Sequence, residues 1–392
     1  MVVLRVREFR ALWIAELLSV AGDQVARVAL AVLVFERTSS AAWTALTYAL
    51  TFVPALLGGA LLSRLADRFP RREVMVATDL CRTVLAALMA WSSLPLPVLC
   101  LLVFLLAMCG GPFRAAQLSL LPDVLGDDRY VAGLAVRNIS GQIVQMAGFA
   151  VGGTLLAIIS PYVALGFNAA TFLVAALVVR FGVHSRPAPS PVESKPSTAS
   201  GGGAARLIWR DRRSRGLVGL AWLVGLFVVP EGLAAPYASA LAVGPAAVGV
   251  LMAADPAGSI IGAWLAVRLF SEETRARLLA PFAVLAGLPL VLCLVGPGLA
   301  WSVALWAVSG AFSTAYLMQT QASFVKRIPD HRRGAAVGLA STGIQASQGF
   351  AILAGGAVSD LLGPSTAVAA AGALGVALSA VLGLSWLRAR HA

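Results

Sequence analysis

Three ionisable residues lie on one face of the first long apolar stretch of this sequence. Glu16, Asp23 and Arg27 are separated by seven and four residues, which at about 100° per residue places them on one side of a helix. An ionisable side chain at the centre of a bilayer costs about 2.5–3.5 kcal/mol on insertion scales, so those that are retained usually face a protein interior or water. The spacing therefore predicts an inward-facing polar stripe.

A carboxyl in such a place can carry a proton, because desolvation favours its protonated form and a neighbouring arginine favours its ionised form. The first proton-coupling candidate is Asp23, with Arg27 one helical turn away as its partner. A static Asp23–Arg27 pair that only holds the helix in register is the alternative. Glu231, at about the corresponding place in the second half of the chain, is the second candidate. Asp255 is the third, beside Pro256, which predicts a kink with exposed backbone.

The composition places these charges in lipid. Hydrophobic residues make up 59% of the 392 residues and charged residues 12%, with a mean hydropathy of +0.85. A soluble domain carries about 45–50% apolar and about 25% charged residues, and a fold of this size has too little interior to bury the difference. The basic excess of +12 then reflects membrane topology, not nucleic acid.

The sequence predicts an all-α membrane protein with about twelve transmembrane helices. Each apolar stretch is long enough to cross the hydrocarbon core. The predicted spans are 11–35, 41–64, 74–94, 97–120, 131–157, 161–181, 215–236, 245–268, 278–296, 299–323, 334–358 and 365–387. The stretch 182–213, rich in proline, serine and glycine, predicts a flexible linker between an N-terminal half at 1–181 and a C-terminal half at 214–392.

Basic residues orient these spans. They accumulate in alternate connections, whereas the opposite connections hold one basic residue, Arg37. Lysine and arginine are retained on the cytoplasmic side, so the sequence predicts an inner-membrane protein with both termini in the cytoplasm. The basic connections contain Arg64, Arg68, Arg71, Arg72, Arg129, Arg206–Arg215, Arg268, Arg275, Arg277, Lys326, Arg327, Arg332 and Arg333.

The two halves repeat a polar pattern. In the fifth span, Asn138, Gln142, Gln145 and Gly152-Gly153 are matched in the eleventh span after a constant interval of 203 residues; the matching residues are Ser341, Gln345, Gln348 and Gly355-Gly356. Corresponding helices with the same spacing are typical of a duplicated transporter. The pattern predicts two pseudo-symmetric six-helix bundles.

Two motifs give a family resemblance. The connection after the second span reads Ser63-Arg-Leu-Ala-Asp67-Arg68-Phe-Pro-Arg71-Arg72, which resembles the G-x-L-a-D-R-x-G-R-[KR] signature of the major facilitator superfamily, with Ser63 and Pro70 replacing its glycines. Gly148-Phe-Ala-Val-Gly152-Gly153 is similar to the antiporter signature G-P-x-x-G-G, with Phe149 in place of proline. The resemblance is nearest to the drug:proton antiporters, the multidrug and siderophore exporters.

That resemblance implies further roles. Asp67 would hold the start of the eleventh helix as a cytoplasmic latch, since a carboxylate favours a helix N-terminus. The other residues assigned to this gate are Arg68, Arg71, Arg72, Asp79, Arg82 and Arg114. Spans one, four, seven and ten would line a central cavity, where aromatic residues could contact an apolar substrate; these are Trp222, Phe227, Trp306, Phe312 and Tyr316.

The leading functional hypothesis is proton-driven efflux of a small, partly apolar molecule by alternating access. Uptake on the same scaffold is the alternative, followed by a non-transporting membrane scaffold. A nucleotide-binding loop needs Gly-Lys before Ser or Thr, and neither Lys195 nor Lys326 follows a glycine. We expect no enzyme activity, cofactor, metal site or nucleic-acid partner. The expected partners are the small substrate, protons and lipid, and the expected state is a monomer.

Overall fold

The computed structural model describes residues 3–52, 54, 57–58, 68–187 and 201–391. Within these ranges the ordered elements are all helices, which confirms the predicted all-α class. The first six helices that we number are α1 (Arg7–Thr38), α2 (Ala41–Ala49), α3 (Arg71–Met89), α4 (Leu96–Leu125), α5 (Asp127–Leu156) and α6 (Pro161–Gly182). Helix α7 consists of four consecutive segments, Arg212–Trp222, Val224–Phe227, Val229–Gly232 and Ala234–Ala240. The last five are α8 (Pro245–Leu269), α9 (Glu272–Val291), α10 (Leu299–Val325), α11 (Asp330–Leu362) and α12 (Pro364–His391).

Each helix begins within a few residues of the start of a predicted span. Eight of the described helices are long and apolar enough to cross a membrane. The second predicted span, 41–64, is described as a helix only over Ala41–Ala49, because most of the residues after it lie outside the described ranges. Two short 3-10 helices, Val3–Arg5 and Leu292–Val295, precede α1 and follow α9.

The predicted flexible linker is only partly described, and that part corrects the prediction. Residues 188–200 lie outside the described ranges, but Gly201–Arg210 forms a helix, which we name the linker helix. Glycine is a poor helix former, so Gly201–Gly203 predicted a coil. The segment that follows them, Ala204–Arg210, consists of better helix formers, and the helix extends from it.

Polar side chains fix where several helices begin. Ser160 and Ser271 cap α6 and α9 by accepting from the amides of Val163 and Thr274, as N-cap serines do. Asp211 caps the first segment of α7. Partial burial alone would raise the pKa of Asp211, but hydrogen bonds from the Ser214 hydroxyl and the Arg213 and Ser214 amides lower it overall.

The internal repeat is also present in the backbone conformation, at two tight turns between helices. Among the residues that the structure describes, the non-glycine residues with positive φ are Ser39, between α1 and α2, and Ala242, between α7 and α8, at 50° and 54°. A left-handed conformation is uncommon for such residues. They lie 203 residues apart, the same interval that relates the polar patterns of the fifth and eleventh spans.

The chain divides into two compact units. The first unit comprises Met1–Arg37, Leu50–Glu193 and Gly244–Gly249; the second comprises Thr38–Ala49, Ser194–Val243 and Val250–Ala392. The core of the first unit contains buried side chains of α1, α3, α4 and α6, including Leu12, Met75, Phe113, Leu120 and Val179. The domain limits predicted from the linker, at 181 and 214, stay a prediction.

Small residues let helices of the second unit approach closely. Gly287 of α9 faces Gly372 of α12, and a Cβ on Gly287 would lie 2.7 Å from the Gly372 carbonyl oxygen. A side chain at either position would force the two helices apart, because real Cβ atoms do not pack so near to a backbone atom.

Candidate functional site

An ionic cluster joins α1 and α3 in the first unit. Arg82 donates to Asp23 at 2.9 Å and to Asp79, one turn earlier on its own helix, at 3.4 Å. The Arg82 guanidinium also lies over the Phe172 ring, 3.9 Å from its centroid. Asp79 is fully buried and Arg82 nearly so, whereas the side chain of Asp23 is 27% exposed. The cluster therefore holds two carboxylates against one guanidinium, with only Asp23 accessible.

Sequence reasoning placed these residues in different groups. Asp79 and Arg82 were assigned to the gate, and Arg27 was expected to pair with Asp23. The structure brings Arg82 to Asp23 and places a hydrogen bond of 3.4 Å between Arg27 and Gln24. The Asp23–Arg82 contact spans 59 residues of sequence, and one helix pattern cannot show which neighbour a charge will face.

A cavity of about 70 Å³ opens beside this cluster within the first unit. Its polar lining includes Asp23 and Arg27 from α1, Arg82 from α3 and Arg114 from α4, together with Thr51 and Asn168. Its apolar lining comes mainly from Leu30, Met89, Val103 and Leu106. Three arginines and one carboxylate thus face one small space.

Glu16, the third residue of the predicted stripe, belongs to a separate network. Arg137 of α5 donates to both of its carboxylate oxygens, at 2.6 and 2.7 Å, and also to Gln117 at 3.0 Å. Arg137 thus forms a two-pronged pair with Glu16, the geometry that makes arginine–carboxylate contacts strong and specific.

In the second unit, Glu231 occupies a broken helix. It lies in the segment Val229–Gly232 of α7. Pro230 in this segment and Pro236 in the next one lack the amide hydrogens that a continuous helix requires. Glu231 is 5% exposed and accepts a hydrogen bond of 2.6 Å from the hydroxyl of Tyr48 on α2. The carboxyl is therefore buried, hydrogen-bonded and attached to irregular backbone.

Asp255 of α8 lies near this site. Its carboxyl interacts with the Ser259 hydroxyl and is close enough to Glu231 for the two charges to repel if both were ionised. Gly310 of α10 makes room for it, since a Cβ there would lie 2.7 Å from Asp255 Oδ1. Between Gly216 and Val267 the chain contains no lysine, arginine or histidine, so the basic residues of α7 and α8 all lie near the ends of these helices; they are Arg212, Arg213, Arg215 and Arg268.

The loop motif is described in part. Asp67, the predicted latch, lies outside the described residues together with 59–66. Arg68 is exposed. Arg71 donates to Asp123 and to the Ser119 carbonyl, both at 2.7 Å, and Arg72 donates to Glu73. Arg72 also donates to the carbonyl of Val183, just after α6. The arginines at the start of α3 therefore bind groups of α3, of α4 and of the end of α6, and the latch of Asp67 stays a prediction.

The glycines of the antiporter-like motif lie at close helix contacts. Cβ atoms on Gly148 and Gly152 would lie 2.8 Å from Gln24 Cβ and 3.1 Å from Val25 Cα of α1. One on Gly153 would lie 2.6 Å from the Cα of Gly249, in the first turns of α8. Because these glycines have no side chain, α5 can approach α1 and the first turns of α8 closely.

The matching glycines of α11 have equivalent contacts in the second unit. A Cβ on Gly355 would lie 2.5 Å from Val229 Cγ1 of α7, and one on Gly356 would lie 3.1 Å from the Ala41 carbonyl oxygen of α2. The repeat seen in the sequence is thus also a repeat of packing.

The aromatic residues proposed to contact substrate pack mainly against other aromatic rings. Phe227 and Tyr316 are buried and meet edge to face, with centroids 6.1 Å apart. Trp306 is buried against Tyr237, Phe312 lies beside Phe282, and Trp222 lies beside Trp209. Trp222 also donates to the Ala340 carbonyl. A substrate role for this set stays a prediction.

Apolar helices with paired charges and broken segments in their interior define a membrane transport protein. The family model described as the Major Facilitator Superfamily matches residues 12–231, more than half of the chain. The chain belongs to the major facilitator superfamily, and the predicted family and fold are confirmed.

Similar proteins agree with this assignment. The chain is 26% identical over 374 residues to proteins named "Multidrug efflux pump Tap" from Mycobacterium tuberculosis and Mycobacterium bovis, with 89% of this chain and 86% of theirs covered. Its fold is similar to that of a mutant of the nucleoside transporter NupG (TM-score 0.81, 15% identity, 97% and 99% covered). It is also similar to the peptide transporter POT in complex with sulfate (TM-score 0.74, 15% identity, 98% and 95% covered). The chain is a multi-pass membrane transport protein.

Proposed function

We propose that this protein exports small, partly apolar molecules, including drugs, by proton-driven alternating access. Export is supported by the likeness to proteins named as multidrug efflux pumps, which extends over 89% of the chain. The observation that carries proton coupling is the pair Glu231 and Asp255, two carboxyls that α7 and α8 bring close together in the second unit, where the regular pattern of α7 is interrupted.

These two carboxyls are better placed to exchange a proton than Asp23. Asp23 has a permanent cation, Arg82, within 2.9 Å, and an arginine in a protein does not give up its proton. Glu231 is buried and Asp255 lies close to it, and movement of either helix alters the surroundings of both carboxyls. Asp23 is the alternative coupling residue.

The proposed cycle moves one proton into the Glu231–Asp255 pair from one side of the membrane and releases it to the other. The hydroxyl of Tyr48 donates to Glu231, so a displacement of α2 removes a partner of the carboxyl. Proton occupancy and helix position are then linked, because a group bound differently in two states shifts their equilibrium.

The proposed orientation has both termini in the cytoplasm of a cell whose inner membrane contains the protein. It rests on the basic connections, with Arg37 as the single basic residue of the opposite side. A cysteine introduced at Ser185 should react with a membrane-impermeant thiol reagent only after lysis, and one at Ser92 in intact cells. The reverse labelling would overturn the orientation.

Efflux is tested in a bacterial strain from which the major drug exporters have been deleted. Cells that express the chain should tolerate higher concentrations of some members of a panel of acidic, basic and neutral antimicrobials, and they should accumulate less of them. An uncoupler should abolish the difference.

Three outcomes would contradict the proposal. Unchanged accumulation across the panel would contradict drug export, and increased accumulation that an uncoupler blocks would indicate proton-driven uptake. Lower accumulation that persists with the uncoupler would contradict proton coupling.

A further inference from the structure

A second cavity lies within the second unit, and the transport cycle proposed above does not use it. The first segment of α7, the end of α10 and the start of α11 form its walls, and its volume is about 160 Å³. The apolar part of the lining includes Leu217, Val218, Phe324, Val337 and Ile344. None of the described lining residues carries a charge. The cavity therefore suits an uncharged, apolar group.

The volume of this cavity matches one small ring. A cavity of about 150 Å³ lined by leucine, isoleucine and phenylalanine stays dry and binds benzene. The cavity of the second unit has nearly the same volume, about 160 Å³, so it has room for one aromatic ring of a larger molecule. Transfer of such a ring from water into an apolar site is favourable in proportion to the apolar area that is buried.

Two polar side chains at the cavity have spare hydrogen-bonding capacity. Thr320 is committed, because its hydroxyl donates to the Tyr316 carbonyl at 2.7 Å. Gln321 and Ser341 are exposed, and neither side chain has a hydrogen-bond partner among the residues that the structure describes. A carboxamide and a hydroxyl can each donate and accept, so the two side chains can bind a neutral polar substituent. A lipid acyl chain has no such group and would leave both unused.

The walls of the cavity are held in place by contacts that need no ligand. The indole N–H of Trp222 on α7 donates to the carbonyl of Ala340, a lining residue on α11, at 3.2 Å. Gly343 makes room for this indole, since a Cβ on Gly343 would overlap the ring. Trp209 of the linker helix meets the same ring edge to face, with centroids 6.1 Å apart. A site that is formed before its ligand arrives loses less freedom on binding.

The position of the cavity fits an early contact with an exported molecule. Helix α7 begins at Arg212, α10 ends at Val325 and α11 begins at Asp330. The cavity therefore lies near the ends of three helices that the proposed orientation places at the cytoplasmic side. An exporter takes up its substrate from that side of the membrane.

We propose that this cavity binds one uncharged aromatic ring of an exported molecule, with Gln321 and Ser341 as partners of a neutral polar substituent. A charged substituent is disfavoured, because none of the described lining residues supplies a counter-charge and an unpaired charge is costly in an apolar site. This inference rests on the proposed export function and specifies one chemical class of its substrates.

The test is photolabelling of the full-length chain in proteoliposomes with benzophenone, a neutral molecule with two aromatic rings and a carbonyl group. Mass spectrometry of proteolytic peptides locates the label. Labelling of the cavity walls should saturate as the probe concentration rises, whereas labelling of exposed apolar residues such as Leu177 and Val381 should rise linearly. Linear labelling at the cavity would show that bilayer lipid occupies it. That result, or the absence of label there, would overturn the proposal.

Two soluble competitors of equal size test the preference for a neutral group. Benzamide and benzoate share one ring and differ in charge. Because the described lining has no group to pair with a carboxylate, benzamide should suppress the saturable labelling at a concentration at least about tenfold lower than benzoate. Equal competition, including none by either compound, or stronger competition by benzoate would overturn the proposal.

Variants assign the saturable label to the cavity. Ala340→Phe places a ring inside the cavity and should lower the saturable labelling at least about tenfold. Ala370→Phe makes the same change at an exposed position of α12 and should leave it unchanged. Undiminished labelling of Ala340→Phe would show that the probe binds elsewhere. If that variant elutes as aggregate, Val337→Phe on the same wall replaces it, and the competitor pair with the wild type still decides.

Failure of this inference differs from failure of the proposed function. Drug export by a chain whose cavity is not labelled saturably would overturn the ring-binding site and leave the exporter. Saturable labelling that benzamide suppresses, in a protein that raises cellular accumulation of drugs, would support the ring-binding site and contradict export.

Discussion

The two units differ in the partners of the carboxylates in their membrane-spanning helices. In the first, each carboxylate of the membrane interior has an arginine partner: Glu16 binds Arg137, and Asp23 and Asp79 share Arg82. In the second, Glu231 and Asp255 are the only Asp, Glu, Lys or Arg residues in the stretches 216–267, 278–325, 334–359 and 361–387. The two halves thus share a backbone repeat but differ in the charged residues of their membrane-spanning helices.

This difference indicates that the carboxyl groups of the two units have different roles. Glu16, Asp23 and Asp79 each accept from an arginine, a group that always carries its proton. Glu231 and Asp255 lie close to one another beside the interruptions of α7, so a movement of that helix changes the surroundings of both carboxyls. We therefore infer that the first unit presents a fixed field and the second unit a variable charge.

The largest expected effect is on stability, from Arg82→Gln. Removing this arginine leaves Asp79 fully buried and Asp23 partly buried without their cation. Breaking a buried ion pair from one side costs about 3–5 kcal/mol. Unfolding of the purified chain in detergent, followed by circular dichroism, should show a loss of this order.

Two variants serve as controls for Arg82→Gln. The double variant Arg82→Gln with Asp79→Asn should recover much of the stability, because it removes the orphaned charge as well. Arg180→Gln, at an exposed position, should match the wild type. Wild-type stability of Arg82→Gln itself would show that the cluster does not hold the first unit together.

The next effect concerns transport and tests the second unit. Glu231→Gln preserves shape and can still accept from Tyr48, but it cannot ionise. Coupling free energies of about 1–3 kcal/mol correspond to factors of about 5–150, so efflux driven by a pH gradient in proteoliposomes should fall by a factor in this range. Substrate exchange without a gradient should be retained.

Two further variants sharpen that measurement. Asp23→Asn should have a smaller effect on the dependence on the gradient, and Glu273→Gln, an exposed carboxylate of α9, should have none. If Asp23→Asn abolished the proton dependence while Glu231→Gln transported normally, the variable charge would belong to the first unit and the contrast between the units would be reversed.

The smallest expected effect comes from Asp360, a carboxylate of the second unit held by neutral donors. It accepts from the Ser40 hydroxyl at 2.7 Å and from the amides of Ala41 and Ala42 at 2.6 and 3.1 Å, at the start of α2. Asp360→Ala should cost about 1 kcal/mol, as loss of a helix cap does. Glu36→Ala, at an exposed carboxylate of α1, should cost nothing measurable.

The same variant has a defined pH dependence. Partial burial would raise the pKa of Asp360, but the hydrogen bonds from Ser40, Ala41 and Ala42 hold it below its ordinary value. The stabilisation is therefore complete above the pKa of about 3.9 expected for an unfolded aspartate and is lost as the pH falls through the lower folded value. The deficit of Asp360→Ala should be constant from pH 7 to about 4 and vanish in stronger acid. A constant deficit at every pH would attribute the effect to packing.

The sequence predicted the helices well, because a span long enough to cross lipid is a local property of composition. It also contained the 203-residue repeat, which recurs in the turns at Ser39 and Ala242. It could not predict that α7 consists of four segments, because a proline inside an apolar stretch does not determine whether neighbouring groups compensate for the missing hydrogen bond.

The partners of the charged groups were the main omission. Arg82 with Asp23, Arg137 with Glu16 and Tyr48 with Glu231 each join residues more than fifty positions apart. Helix periodicity tells which side of a helix a residue occupies, but the opposing residue depends on how helices are arranged and rotated. A hint was available: a membrane arginine that is retained needs a counter-charge, and the first span contains the acidic residues Glu16 and Asp23.

The segmented α7 has a mechanical consequence. An unbroken helix transmits a push along its whole length as a rod does, so everything attached to it moves together. At Leu223, Val228 and Leu233 the regular pattern of α7 is interrupted, and the segment that bears Glu231 is four residues long. We expect the helix to bend more easily at these residues, and a bend there would turn the carboxyl toward different surroundings while both ends of α7 keep their positions.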